Sequence, residues 1–220
     1  MSKLTTILLT ALLTARHSSC TTSLFSISTY KNIITDKRIE GVWKTNDMEF
    51  TIEKIPDTIL QRIIAPRTNP LRRIRDSILY YQSYMANYEK SGISYQFNLE
   101  LTRINHNLFI DIGPAGFESH LDETLWQERY GGKLEYLPTF TMAKVEMPSD
   151  SVLVLNFFNA AFIKDRFEEG KIRMKYEENK MFDLFLITAS SEELQHFIYK
   201  YGDDHRFYDT KTRVLLKRIR

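Results

Sequence analysis

The chain has 220 residues, enough for one well-buried core and short for two. With 43% hydrophobic and 26% charged residues it has the composition of an ordinary globular protein, which excludes a disordered or fibrous chain. Residues 1–19 hold two basic residues and no acid, so the rest carries 28 basic and 28 acidic residues and no net charge. A neutral domain argues against general electrostatic binding to nucleic acid. A single cysteine excludes an intramolecular disulfide.

The first residues predict export. Met1–Lys3 supplies a positive start, and Leu4–Ala15 is an apolar run broken only by threonines. That run is too short to cross a bilayer as a helix but has the length of the apolar region of a signal sequence. We therefore predict that residues 1–19 are a signal sequence and that the protein resides in the cell envelope, in the periplasm or at the outer membrane.

The single cysteine, Cys20, directly follows this apolar run. A bacterial lipoprotein carries its lipid on a cysteine at this place, and the lipid then anchors a folded domain to the membrane. However, the best lipobox tripeptide, Leu13–Ala15, is followed by Arg16 instead of cysteine. Two readings stay open: Cys20 is lipidated within a degenerate box, or the lipid site was lost at Arg16. In the first reading the membrane is a partner through Cys20.

Residues 20–35 are rich in serine and threonine and have no sustained hydrophobic period. This composition predicts a tether between the membrane and a domain. Residues 36–220 are then predicted to form a single domain.

Short strands are predicted along most of this domain from apolar residues that alternate with polar ones. The predicted strands are 38–44, 48–54, 84–88, 94–103, 108–112, 140–147, 152–157, 172–177, 184–188 and 213–218. Residues 55–76 interrupt this rhythm with three prolines and five arginines, and residues 115–133 form a polar loop.

Two helices are predicted late in the chain. Asn159 is the N-cap of the first, and Gly170 follows its end. Ser190 and Glu193 form a capping box that begins the second, which Gly202 ends. About eight to ten short strands with two short C-terminal helices predict a mainly β protein built on an antiparallel barrel.

Several segments resemble a known group of proteins. Gly41-Val42-Trp43 on the first strand resembles the Gly-x-Trp of lipocalin-like barrels, in which the Trp plugs the closed end and the Gly allows a tight bend. The stretch from Leu186 to Tyr201 is similar to a segment of uncharacterised envelope lipoproteins of Gram-negative bacteria, and 108–111 and 137–140 resemble their middle strands. The resemblance covers most of residues 36–210. It implies a lipocalin-like barrel and an envelope location, and it transfers no catalytic residues to this chain. No cofactor is predicted from the sequence.

A polar cluster at residues 106–123 is the first candidate site. Carboxylates and imidazoles can bind a divalent metal or act as acid and base. The spacing fits no metal signature, and solvated charges are common in a loop at a strand end. The candidate residues are His106, Asp111, His120 and Asp122.

An arginine-rich segment is the second candidate, because clustered guanidinium groups bind anionic lipid, glycan or a protein partner. A surface charge run is more often only solvated. Its residues are Arg62, Arg67, Arg72, Arg73 and Arg75.

Taken together, the sequence favours a non-catalytic envelope protein whose barrel binds a small apolar ligand or another envelope protein. Two alternatives stay open: an enzyme that uses the 106–123 cluster, with or without a metal, and a structural or assembly protein of the envelope.

Overall fold

The computed structural model describes residues 21–45, 48–57, 77–90, 93–114, 139–179, 181 and 184–220. These residues form twelve strands: β1 (Thr22–Ser23), β2 (Ile33–Ile34), β3 (Gly41–Thr45), β4 (Met48–Lys54), β5 (Tyr84–Lys90), β6 (Ile93–Ile104), β7 (Asn107–Pro114), β8 (Phe140–Ser149), β9 (Val152–Phe157), β10 (Tyr176–Asn179), β11 (Leu184–Ile187) and β12 (Val214–Arg218).

Eight of these strands close into an antiparallel barrel. Strands β3 to β9 pair in sequence order, and β12 lies between β9 and β3 and completes the ring. At the closure Leu216 of β12 lies opposite Leu153, and Arg218 lies opposite Trp43. The predicted mainly β fold, with its antiparallel barrel, is confirmed. Closure leaves these strands no free edge for pairing with other chains.

A short sheet extends the barrel wall beside the start of β8. Strand β1 pairs with β8 antiparallel and with β11 parallel, and β11 pairs with β10 antiparallel. The strand predicted at 172–177 begins only at Tyr176 in the structure. The reason is that Ile172 is buried in a core beneath the helices, so its apolar side chain reflects tertiary packing rather than strand alternation.

Residues 21–34 form an N-terminal strap on the outer wall of the barrel. At one end β1 pairs with β8, and at the other end β2 pairs with β6. Between them Ile27 is fully buried. The tether predicted for residues 20–35 is therefore wrong for residues 21–34, which belong to the folded domain. A segment without hydrophobic period can still be fixed when its backbone pairs with existing strands.

Two helices cover the strap and the neighbouring wall, and both predicted N-caps are confirmed. Helix α1 (Ala160–Glu168) begins where the Asn159 side chain accepts a hydrogen bond from the Phe162 N–H, at 3.0 Å. Helix α2 (Ser191–Tyr201) begins with the complete capping box of Ser190 and Glu193. Residues 77–82 are also helical. Within the described residues, no helix has the length and apolar character needed to cross a bilayer.

The apolar side chains form two separate cores. The inner core fills one end of the barrel and includes Trp43, Leu101 and Ile110. The outer core lies between the barrel wall, the strap and the helices, and includes Ile27, Phe109 and Phe197. Strand β7 shows how they divide: Leu108 and Ile110 point inward and Phe109 points outward, as strand geometry requires.

Candidate functional site

An apolar cavity of about 240 Å³ lies inside the barrel. The inward-facing side chains of successive strands form its wall, because alternate residues of a strand share one face. All of the lining side chains are apolar, and they include Phe50, Phe97, Leu99, Leu155, Val214 and Leu216. An apolar cavity of about 150 Å³ is large enough to hold benzene. The barrel interior can therefore hold a small apolar molecule.

Accessibility decides which end of the barrel is open. Lining residues near Trp43, such as Leu99 and Leu153, are buried. Three lining residues nearer the opposite end, Met48, Phe97 and Val214, are partly accessible in the described structure. We call the end beside Trp43 the closed end and the opposite end the mouth.

The closed end is sealed by Trp43 and the short 3-10 turn Lys37–Ile39. Trp43 has no exposed surface, and its indole N–H donates to the Ile39 carbonyl at 2.7 Å. The turn begins at Asp36, whose carboxylate accepts from the Arg38 N–H and side chain. The Arg38 guanidinium lowers the pKa of the Asp36 carboxyl. The indole ring system thus blocks this end of the barrel, and its one polar group, the N–H, is hydrogen-bonded.

Arg218 is the second component of the closed end, and the sequence interpretation missed it. Its guanidinium carbon lies 4.3 Å from the centre of the Trp43 ring, within the range of a cation–π contact. The same guanidinium donates to the carbonyls of Arg38, Glu40 and Asp150, so the last barrel strand is tied to the 3-10 turn. The alternation in 213–218 predicted the strand, but nothing in the sequence showed which basic residue stacks on the tryptophan.

Gly41 allows this arrangement for two reasons. Its φ is +134°, a conformation that residues with side chains rarely adopt. A Cβ atom at this position would also lie 2.5 Å from Nη1 of Arg218 and 2.7 Å from the Arg220 carbonyl oxygen. Gly41 and Trp43, the pair that the resemblance placed at the closed end, therefore lie together there with Arg218.

The mouth carries a ladder of aromatic rings on neighbouring strands. Phe50, Tyr88 and Tyr95 are successive cross-strand partners on β4, β5 and β6. Their rings are stacked, with centroids 5.1 Å apart for the first pair and 5.7 Å for the second. Tyr95 is 43% exposed. These three rings therefore form a stacked row on adjacent strands at the mouth.

Asp111, predicted as part of the 106–123 cluster, lies on the opposite side of the wall from the cavity. It is 1% exposed, and its partner directly across the β6–β7 ladder is Glu100. The strap covers both carboxyl groups with the hydroxyl groups of Ser26 and Ser28. Burial raises the pKa of Glu100 to about 7 and that of Asp111 to about 6.

The structure does not bring His106 and Asp111 together. His106 lies in the β6–β7 turn with its side chain 77% exposed and its Nε2 3.4 Å from the Asp203 carboxylate. Asp111 lies five residues further along β7, a distance of roughly 15 Å along an extended strand. Within the described residues, no group of three His, Cys, Asp or Glu side chains is placed to hold a metal ion.

The other predicted site residues fall outside the described part of the chain. They are Cys20, His120, Asp122, Arg62, Arg67, Arg72, Arg73 and Arg75. The interpretation of each therefore stays a prediction.

Comparisons of the chain with protein-family models, with curated proteins and with solved structures found no match. The resemblance of its sequence to envelope lipoproteins therefore stays an expectation, while the barrel is a feature of its own structure.

Proposed function

We propose that this protein is a non-catalytic binding protein of the cell envelope whose barrel holds a small apolar ligand. The observation that carries the proposal is the cavity of about 240 Å³, whose described lining residues are all apolar. Apolar side chains that line an empty cavity make fewer van der Waals contacts than side chains in a packed core, and a bound ligand restores these contacts. Occupation of the cavity by an apolar ligand is therefore favourable.

The chemistry of the lining restricts the ligand. The described cavity wall carries no charged or hydrogen-bonding side chain, and an unpaired polar group buried there would be costly. The part of the ligand that enters is thus apolar, and any polar end stays at the mouth near Tyr95, whose ring is partly exposed.

Binding of the neutral fluorescent probe N-phenyl-1-naphthylamine tests this function. The probe should gain fluorescence on mixing with the full chain. Ala86 lines the cavity and is 5% exposed, so Ala86→Leu fills part of the space and should weaken binding at least about tenfold, a change of 1.4 kcal/mol.

The matched control is Ala161→Leu, since Ala161 is exposed on α1 and away from the cavity. Its affinity should equal that of the wild type, and circular dichroism should show that both variants fold. Equal binding by wild type and a folded Ala86→Leu variant, or no binding by either, would remove the proposal.

The envelope location is a separate part of the proposal and rests on Leu4–Ala15 and Cys20. Intact-mass analysis of protein purified from its native membrane should show loss of about 19 residues and an added lipid on Cys20. A processed chain with unmodified Cys20 would leave export standing without the lipid anchor. An intact Met1 would contradict export as well.

A further inference from the structure

The N-terminal strap is held at its centre by a hydrogen-bond network on two carboxyl groups. Oδ2 of Asp111 accepts from the Ser26 hydroxyl at 2.7 Å and from the Ser28 N–H and hydroxyl, each at 3.0 Å. The Ser26 oxygen also lies 2.8 Å from Oε2 of Glu100 and accepts from the Ser28 N–H at 2.9 Å. The Ser28 hydroxyl oxygen lies 2.6 Å from that of Thr102.

The Ser26 hydroxyl lies between the two carboxyl groups. Its oxygen is 2.8 Å from Oε2 of Glu100 and 2.7 Å from Oδ2 of Asp111, but the hydroxyl has one hydrogen. With both carboxylates ionised, the two contacts share that hydrogen, as Asp111 and the Ser26 oxygen share the Ser28 N–H. One proton on either carboxyl supplies a second hydrogen, so that each contact has its own.

The shared proton also fits the acceptor capacity of the Ser26 oxygen, which accepts from the Ser28 N–H and has one acceptor site left for a protonated carboxyl. If both carboxyls were ionised, two like charges would face each other across the β6–β7 ladder, which destabilises strand pairing. Oδ1 of Asp111 is buried and has no hydrogen-bond partner in the described structure, although the nearby Ile27 N–H favours the ionised form of this carboxyl.

The charged and titratable groups on the surrounding elements do not neutralise the pair. Strand β8 places Met142 opposite Asp111, and the next residue on that face, Lys144, donates to the Gly202 carbonyl at 3.2 Å. The titratable side chains of α2 and the strap are exposed or partly exposed in the described structure: Glu192, Glu193, His196, Tyr199, Lys200, Tyr201, Tyr30 and Lys31. Within the described residues, the charge that raises the pKa of Glu100 is that of Asp111, after burial itself.

We propose that Glu100 and Asp111 form a proton-dependent latch for the strap: with one shared proton they hold residues 21–34 on the barrel, and loss of that proton releases them. This goes beyond the ligand-binding proposal, because the pair faces away from the cavity. The strap directly follows Cys20 in the chain, so the latch makes the attachment of the barrel to the segment at Cys20 sensitive to pH.

The sign of the effect follows from the raised pKa values. A carboxyl with a pKa of about 7 in the closed state and an ordinary value in the open state favours closing at low pH. That contribution is complete below about pH 4.5, and it is lost as pH rises through 7. Between pH 6 and pH 8, the closing equilibrium should fall about tenfold.

Hydrogen exchange of the full chain, read by mass spectrometry from pH 5.5 to 8.5, tests the latch. Protection factors corrected for the intrinsic rate should fall about tenfold from pH 6 to 8 in peptides from residues 21–34. Peptides from β12 should not change over this range. Glu100→Gln imitates the neutral carboxyl and should abolish the fall, while Glu49→Gln, at an exposed position on β4, should retain it.

Five results would overturn the latch. Four of them are a constant protection of the strap in the wild type, an equal fall in Glu100→Gln, a fall shared by β12, and a Glu100→Gln chain that does not fold. Restoration of protection at pH 8 by millimolar Ca²⁺ would also overturn it, because the two carboxyls would then be a cation site. None of these results depends on ligand binding in the cavity.

Discussion

The two faces of the barrel wall differ in how their side chains are fixed. The inner face is apolar throughout the cavity and leaves open space. The outer face and the strap that lies on it together hold five of the six buried polar residues in the described structure: Thr21, Ser23, Ser28, Thr102 and Asp111. Apolar contacts are non-directional, so they stabilise the barrel without requiring one particular arrangement of the groups that fill its interior. Hydrogen bonds are directional and fix the strap in one position.

This difference suggests a division of roles. If the barrel holds a ligand as proposed, its apolar inner face favours ligands of varied shape, because apolar contacts lack direction. The stacked rings of Phe50, Tyr88 and Tyr95 lie at the mouth. The outer face binds the strap, a segment of the chain itself, through the carboxyl and hydroxyl groups of the proposed latch. Four predictions test the comparison.

The largest effect is expected at the closed end of the inner face. Trp43→Ala removes a fully buried side chain, its hydrogen bond to Ile39 and its contact with Arg218. The free energy of unfolding should fall by ~3–5 kcal/mol, the range for deleting a large aromatic from a core. Urea denaturation measures it, with Tyr199→Ala as control, because Tyr199 is 63% exposed. A loss below roughly 1 kcal/mol would show that Trp43 does not support the inner core.

A second prediction concerns backbone conformation and steric crowding together at Gly41. Gly41 and Gly170 both have positive φ, at +134° and +68°, but of the two only Gly41 would bring a Cβ against close atoms. Gly170→Ala should cost about 1 kcal/mol, because +68° lies in the left-handed region that Ala can enter. Gly41→Ala should cost at least about 2 kcal/mol, because +134° lies outside that region and Arg218 must also move. Equal costs in denaturation experiments would mean that the close approach of Arg218 is not needed at the closed end.

The inner face could be predicted from the sequence because strand alternation encodes it. Leu99 and Leu101 recur at every second position of β6, and the structure places both in the inner core. The capping box of Ser190 and Glu193 was equally readable, since the two residues that form it are three positions apart. Such patterns can be recognised from the sequence because the residues that form them are close together along the chain and do not depend on distant segments.

The outer face could not be predicted in this way. Glu100 lies between two inward-facing leucines of β6, so the alternation of the strand predicts that its side chain faces solvent. Ser26 and Ser28 lie in a segment whose composition predicts flexibility. Only the path of the strap, fixed by β1 pairing with β8 and β2 with β6, makes these three residues partners. Asp111 was singled out as a candidate, but with His106, because proximity in sequence was the available guide.

The third prediction tests whether the hydroxyl groups of the strap are structural. Ser26→Ala removes the hydroxyl between Glu100 and Asp111 and leaves their oxygens without that partner. A buried polar group left unsatisfied costs about 1–3 kcal/mol, so the free energy of unfolding at pH 6 should fall by that amount. Ser149→Ala is the control, since its hydroxyl bonds only to exposed Ser151 in the described structure. Equal stability of the two variants would show that the Ser26 hydroxyl does not hold the strap.

The smallest effect is expected at His106, in the exposed turn of the same β6–β7 pair. Its side chain contacts Asp203 at 3.4 Å, and exposed ion pairs contribute ~0–1 kcal/mol. His106→Ala should therefore change the free energy of unfolding by no more than about 0.5 kcal/mol.

Elemental analysis of the purified wild type adds a test of the enzyme alternative, which needs His106, His120 and Asp122 to act together. Stoichiometric zinc or manganese that is present in the wild type and absent from His106→Ala would place a metal at the turn and favour the enzyme alternative. The two measurements separate the cases because removing a ligand strongly lowers the affinity for a metal, whereas removing a solvated side chain changes the stability of the fold only slightly.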